Sequence, residues 1–267
     1  MTNYKRKNSG REAATTDVQL FGHEKLRVYQ KALEFVALRK TLMEGLSQRV
    51  AASDHLIRAG ESIPVNTAYA SSSWSPKERI VYLGHASGSA LECAACLDIF
   101  VAKGRLSSQD IYPAKGLLSE SVSMLVRMRN KTADRIQEEP APYYTKKGNL
   151  FSHEDLDVYQ AELKLISWLE NISPQFACST DLLSKLDKST TSIVLNTAEG
   201  NGRFSKTDQV KFLGLAYKAT VHSSSLVDLG TATDNSTEPD SVEQGRKLLR
   251  RIAAMLKSLS KAVTNDN

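Results

Sequence analysis

Two stretches of this chain are written twice. Phe21-x-His23-Glu24-x-Leu26-x-Val28-Tyr29-Gln30 recurs as Phe151-x-His153-Glu154-x-Leu156-x-Val158-Tyr159-Gln160, and Ser62-Ile63-x-x-Asn66-Thr67-Ala68 recurs as Ser192-Ile193-x-x-Asn196-Thr197-Ala198. The offset is 130 residues in both cases, and it still holds at Leu83-Gly84-x-Ala86 against Leu213-Gly214-x-Ala216 and at Asp98 against Asp228. An ungapped register of that length identifies a tandem duplication, so the chain is expected to fold as two like units. Each unit has the commonest domain size and is long enough to bury its own core. The units are placed at 21–139 and 151–267, joined by a linker at 140–150 whose Pro140 and Pro142 disfavour helix. Residues 1–20 are polar, carry Lys5, Arg6, Lys7 and Arg11, and read as a disordered basic arm.

Periodicity then gives the elements. Leu26, Tyr29, Leu33 and Val36 are spaced by three and four, as are Leu156, Tyr159, Leu163 and Ile166, which is the single apolar stripe of an amphipathic helix. A second segment carries Leu56, Ile63 and Ala68, matched by Leu186, Ile193 and Ala198; Pro64 inside the first of these predicts a kink or a nearby break. A third opens with a helix-start signal, Ser75-Pro76-Lys77-Glu78, and more weakly Ser205-Lys206-Thr207-Asp208. A fourth has Leu118, Val122, Leu125 and Met128, or Leu249, Ile252, Met255, Leu256 and Leu259. No segment alternates with period two. The fold class is all-α: two tandem antiparallel four-helix bundles.

No apolar stretch reaches the length of a membrane span, and three cysteines form no disulfide framework, so no membrane association is expected and a cytoplasmic location is the default. Cys93-Ala94-Ala95-Cys96 has zinc spacing but lacks a second ligand pair and lies in a helix, where the cysteines read as small buried hydrophobes. His23 and His153 sit at helix starts as capping or packing residues, while His55, His85 and His222 have no counterpart in the other unit. No nucleophile, base and acid recur together, so no catalytic site, metal or cofactor is expected.

The block Ser192-Ile193-Val194-Leu195-Asn196-Thr197-Ala198-Glu199-Gly200-Asn201-Gly202-Arg203-Phe204 resembles the signature of the small bacterial four-helix-bundle proteins of 23S ribosomal RNA intervening sequences. Gly88-Ser89-Ala90-Leu91-Glu92 resembles that family's second block, on the third helix. The resemblance covers nearly all of both units and implies the bundle fold but no reaction. Related bundle proteins are accessory subunits of diversity-generating retroelements, forming pentameric rings that engage RNA and a reverse transcriptase. It therefore implies RNA or another nucleic acid as partner, a reverse transcriptase as protein partner by analogy, and a homo-oligomer, which a fused pair can close only with an even number of units.

The family-type residues are Asn66, Gly88, Ser89 and Glu92 in the first unit and Asn196, Glu199, Gly200, Gly202 and Arg203 in the second. Each unit lacks what the other retains: the first reads Tyr69-Ala70-Ser71-Ser72-Ser73-Trp74 where the acid, glycines and arginine would fall, and the second reads Lys218-Ala219-Thr220-Val221-His222 at its other block. Either one composite site forms across the units, or the copies have drifted. The Gly200-Asn201-Gly202-Arg203 turn reads as a phosphate cradle or as a tight turn needing positive φ, with Glu199 and Arg203 paired locally. Gly84 and Gly214, retained inside a helix at about 1 kcal/mol each against alanine, predict close helix contact.

Charge supplies the functional reading. The net +5 is distributed as +2 in the arm, +3 in the first unit, +2 in the linker and −2 in the second unit. Arg127, Lys131 and Arg135 share a helix face, as do Arg246 with Arg250 and Lys247 with Arg251. With Arg203 and the linker pair Lys146 and Lys147, beside Tyr143 and Tyr144, these are the candidate nucleic-acid contacts, suited to phosphate rather than to base readout. The function expected is a non-catalytic, nucleic-acid-associated accessory protein; the alternative is a helical interaction scaffold or oligomerisation module without nucleic acid.

Overall fold

The computed structural model describes residues 21–44, 46, 50–136, 149–176, 179–233 and 238–265, so the basic arm and most of the linker, with Lys146 and Lys147, lie outside the described residues, as does Cys178. Eight α-helices and no strand are present among the described residues. The first unit has α1 (Arg27–Met43), α2 (Ala51–Ser72), α3 (Pro76–Ala102) and α4 (Ser108–Asp134); the second has α5 (Asp157–Ile172), α6 (Thr180–Asn201), α7 (Lys206–Thr233) and α8 (Pro239–Asn265). One-turn 3-10 helices, Gly22–Lys25 and Ser152–Asp155, precede α1 and α5. Within each unit every helix packs on its neighbours in sequence and the fourth closes back on the first, the up-and-down bundle the four stripes require.

Local chemistry sets the boundaries. Ser75 Oγ accepts from the Glu78 amide with Pro76 at the first helical position, and Ser107 and Asp110 form a reciprocal capping box at the start of α4. Gly104 ends α3 at φ +66, where the chain must turn left-handed and only glycine is unstrained. Pro64 neither breaks nor ends α2, which runs unbroken from Ala51 to Ser72 with Pro64 buried. Of the kink or break expected there, the break does not occur.

The two units do not keep separate cores. Phe35, Leu56, Ile63, Leu97, Phe100 and Leu118 of the first unit form one apolar cluster with Phe151, Tyr159, Ile166, Val194 and Ala198 of the second. A second cluster, around Leu165, Leu186, Ile193, Val227, Ile252 and Leu256, belongs to the second unit alone. Helix α3 lies between the units, touching α2 and α4 on one side and α5 and α6 on the other. This explains why α3, by length and composition, is apolar enough to span a bilayer, which the sequence reading did not anticipate; 61% of that stretch is buried inside the protein.

The second core holds one group at odds with its surroundings. Glu162 is fully buried, one carboxyl oxygen accepts from Thr197 Oγ1 at 2.7 Å, and the other has no partner among the described residues. Burial pushes its pKa well above the ordinary carboxyl range, only partly opposed by the Thr197 bond. The first unit has Ala32 at this position, and its Thr67 turns instead to the Ile63 carbonyl at 2.8 Å. Glu162→Met, which removes the orphaned oxygen and leaves Thr197 the same alternative, is expected to raise stability at pH 8 by about 1–2 kcal/mol. A raised folded-state pKa means the native protein binds more protons than the unfolded chain, so this contribution falls as pH rises above the ordinary carboxyl value. Urea midpoints at pH 5 and pH 8 should therefore differ less in the variant than in the wild type; an equal pH dependence would refute the assignment.

Candidate functional site

The units meet through a head on the second and a tail on the first. The head is the segment leading into α5, together with the end of α6. Phe151 is fully buried, stacks on His153 with centroids 5.5 Å apart, and Tyr159 meets His153 edge-on at 4.7 Å. Burial, with help from the nearby Lys115 charge, lowers the His153 pKa to about 3, so the ring is neutral. The tail supplies Lys115 and Asp98. Lys115 Nζ donates to Asp98 Oδ1 at 2.7 Å and to Glu154, and Tyr159 donates to Asp98 Oδ2 at 2.9 Å. Glu154 in turn accepts from the Leu150 and Phe151 amides at 2.9 and 3.0 Å. A further buried cation, Lys103, bridges Asp187 at 2.7 Å and Glu170 at 3.4 Å, and Ser167 Oγ donates to the Ala102 carbonyl at 2.8 Å.

The two family-type blocks face each other across the same junction. Because Gly88 has no side chain, Glu199 Oε1 lies 3.3 Å and the Arg203 guanidinium carbon 3.5 Å from where a Cβ would stand. Arg203 is paired with Glu199 and lies over the Phe212 ring at 4.4 Å. A Cβ on Gly202 would collide with Leu91 of α3. Burial raises the Glu199 pKa, Arg203 opposes this, and the Glu92 charge adds to it, which places Glu92 in the field of the same pair. Glu92 is itself bonded to His55 Nδ1 at 2.8 Å, and Ser89 Oγ donates to Ser62 Oγ at 2.8 Å. Asn66 and Asn196 play matching internal roles, each donating to a serine carbonyl and hydroxyl one turn back.

Of the two readings left open by the sequence, the composite one is therefore realised in space. The blocks are complementary halves of a packing surface, and each unit retains the half that this junction uses. Two sequence expectations are corrected here. Gly202 has φ −90 and needs no left-handed backbone; the glycine is required by the approach of Leu91. Arg203 is a largely buried, paired cation in the junction and does not stand on an outer basic face. Gly84 is approached by the Phe204 ring at 3.8 Å, as close helix contact requires, whereas Gly214 has nothing within 4 Å.

The remaining basic candidates are on the outside. Arg127, Lys131 and Arg135 are exposed near the end of α4 and make no ion pair among the described residues. On α8, Arg246 is tied to Asp228 at 2.8 Å and Arg250 to Glu243, but Lys247, Arg251, Lys257 and Lys261 are exposed and without an ion pair among the described residues. No acidic residue occurs between Gln244 and Asn265, so this helix presents cations alone over its last five turns.

Two other arrangements bear on chemistry. Asp98, His153 and Glu154 have ligand atoms within 4.8 Å of one another, as a metal site would. The Lys115 ammonium, bonded to both carboxylates, already occupies the place of a cation, so the cluster does not fit a metal. A cleft of roughly 630 Å³ between the units is lined by Asp54, Lys103, Arg105, Glu170 and Asp187, whose charges are committed largely to one another.

Sequence reasoning missed Lys103, Lys115 and the burial of Phe151. A signal was present: Lys103 falls on Thr233 in the other unit, a difference expected where only one of two equivalent surfaces is used.

A family model for the 23S rRNA-intervening sequence protein matches residues 24–127 and again residues 154–258. The chain belongs to this family, as two tandem members in one polypeptide. No curated protein and no solved structure matches it.

Proposed function

We propose that the protein is a non-catalytic accessory protein that binds RNA through phosphate contacts on α8, supplemented by Arg127, Lys131 and Arg135 of α4. The observation that carries this reading is the acid-free run of exposed cations from Lys247 to Lys261, in a unit whose net charge is otherwise negative. A cationic helix face without neighbouring acids favours a polyanion and releases its counterions on binding. The family description, a protein of rRNA intervening sequences, agrees with RNA as the first nucleic acid to try. The absence of catalysis is proposed on the chemistry of the composite junction, where Glu199, Arg203 and Glu92 are engaged in packing, and the cytoplasm is the proposed compartment. A reverse transcriptase as protein partner rests on family analogy.

The test is fluorescence anisotropy of a structured and single-stranded RNA pool across a salt series. Binding should weaken steeply with salt. Replacing Lys247, Arg251, Lys257 and Lys261 together by glutamine should flatten the log–log slope by up to about 3, at roughly 0.7 per lost contact for single strands. An unchanged slope, or no binding by the wild type at low salt, overturns the reading. The scaffold alternative draws on a different observation, the large apolar side chains left exposed on the first unit, Phe21, Tyr69 and Trp74.

A further inference from the structure

We propose that one end of the first unit is a base-stacking platform, which takes unpaired nucleobases of single-stranded RNA on Tyr69, Tyr82 and Trp74. This deepens the RNA reading, on which it rests for the class of ligand, with a surface that α8 cannot supply. Helix α8 carries no aromatic residue from Pro239 to Asn265, so it can hold phosphates but stack no base.

The rings gather in one place for a topological reason. In an up-and-down bundle the start of the first helix, the end of the second, the start of the third and the end of the fourth share one end. Phe21 precedes α1, Tyr69 lies in the last turn of α2, Trp74 in the turn that follows, and Tyr82 near the start of α3. A Cβ on Gly22 would stand 3.4 Å from Ser71 Oγ, which sets the Phe21 segment against the end of α2. The Tyr69 and Tyr82 rings have centroids 5.2 Å apart, and His85 meets Tyr82 edge-on at 6.3 Å. Even so, Trp74 is fully exposed, Phe21 is 73% exposed and Tyr69 53%. Aromatic surface left in water at this density marks a place of contact.

The two copies differ here in a consistent way. At the 130-residue offset Tyr69 replaces Glu199, Ser73 replaces Arg203, Trp74 replaces Phe204 and Tyr82 replaces Phe212. In the second unit the Arg203 guanidinium lies over the Phe212 ring at 4.4 Å and is held there by Glu199. In the first unit that planar cover is gone with Ser73, and a second ring stands in place of the acid. One negative charge has been lost and an aromatic face gained. Drift toward an ordinary surface would bring in polar side chains; exposed rings are the opposite change. A flat, uncharged π-system laid on from outside is what an uncovered ring accepts, and every nucleobase offers one.

Charge selects the occupant. Lys25 and Lys77 are exposed and make no ion pair among the described residues, and Arg79 Nε is buried without a partner among them. Arg127, Lys131 and Arg135 extend the same excess toward the end of α4. Of the acids at this end, Glu24 is bonded to the Phe21 amide, while Glu78 and Asp134 are exposed. An apolar protein partner would bury unpaired cations here, at a cost in desolvation. An RNA strand gives those cations phosphates while its bases reach the rings. A duplex keeps its base faces stacked inside, so the ligand is a single strand or a loop.

The experiment is anisotropy of labelled oligouridine, about 12 nucleotides long to suit a stacking groove, at fixed low salt, against an abasic strand of equal length and charge. The wild type should prefer oligouridine by about tenfold or more, as one or two base–ring stacks provide. Trp74→Ala and Tyr69→Ala should each weaken oligouridine binding by about fivefold or more and leave the abasic strand unaffected. Both side chains stand outside the core, so the fold is kept. Unlabelled oligouridine should quench the wild-type emission and spare that of Trp74→Ala, whose remaining Trp168 is buried. Replacing Lys247, Arg251, Lys257 and Lys261 by glutamine should weaken both strands alike and keep the preference for bases. Equal affinity for the two strands, with binding still lost in that α8 variant, overturns the platform and leaves the phosphate reading standing. No binding of either strand overturns both. Trp74 emission that shifts with protein concentration in the absence of RNA gives the surface to a second copy, and likewise overturns the proposal.

Discussion

Lys115→Met is expected to destabilise the protein by about 3–5 kcal/mol at pH 7, the largest effect of any single polar substitution in the chain. The lysine is a buried cation serving two carboxylates from different units, Asp98 of α3 and Glu154 at the start of α5. Burial alone would lower its pKa, but the two carboxylates outweigh it, and the ammonium is held charged. Removing it leaves Asp98 and Glu154 buried side by side without a counter-charge. Their pKa values in the folded variant should then rise above those of the unfolded chain. The folded variant would bind more protons than the unfolded one, so its stability falls as pH rises through the ordinary carboxyl range and recovers as pH is lowered. Urea titrations should therefore show the gap between variant and wild type narrowing from pH 7 to pH 5. Adding Asp98→Asn and Glu154→Gln should recover much of the loss at pH 7, since polar amides remain where unpaired charges stood. A gap below about 1 kcal/mol, or one that ignores pH, would show that the cluster is solvated and does not hold the units together.

The division between what the residues revealed and what they hid follows from how far apart the interacting partners are. Helical spacing and caps are local, so the existence of α1 and the start of α3 at Ser75-Pro76 were legible; the buried face of α1 was not, because the core takes Val28, Ala32 and Phe35 while Leu33 of the expected stripe is 46% exposed. The duplication was legible because register survives in an ungapped repeat. The pairing of the two motif blocks was visible only as a mutual absence, Glu199 to Arg203 in one unit and Gly88 to Glu92 in the other. Whether absence meant division of labour or drift could not be decided without the third dimension. Arg203 was grouped with the basic candidates because an arginine paired four residues back with a glutamate reads the same on a surface as in a junction. Gly202 was assigned a backbone role when the cause was Leu91, more than a hundred residues away, while Gly200 is crowded by Phe212 of α7. Lys103 and Lys115 were invisible for the same reason: their partners come from the other unit, and no periodicity marks a buried cation.

Gly202 offers the sharpest test of how tightly the units are joined, because its backbone would tolerate any residue. At φ −90 and ψ −1 it lies in the ordinary right-handed region, so alanine there carries no conformational penalty and even gains in the unfolded state. All of the cost of Gly202→Ala must come from the collision with Leu91, itself 1% exposed and packed in the shared core. Overpacking of this kind costs about 1–3 kcal/mol. Leu91→Val alone opens a small cavity and should cost about 0.5–1.5 kcal/mol, as loss of one buried methyl group usually does. Combined, the two changes should destabilise by less than their sum, with a coupling of roughly 1 kcal/mol or more. A double-mutant cycle in urea measures the coupling directly. Additivity within about 0.3–0.5 kcal/mol would mean that Leu91 yields freely and that the two bundles merely touch. Strong coupling would mean that α3 and the end of α6 form one rigid packing unit. In that case the loss of complementary blocks from the two halves is the expected result of selection on a single junction, since only one head and one tail in each chain are used to build it.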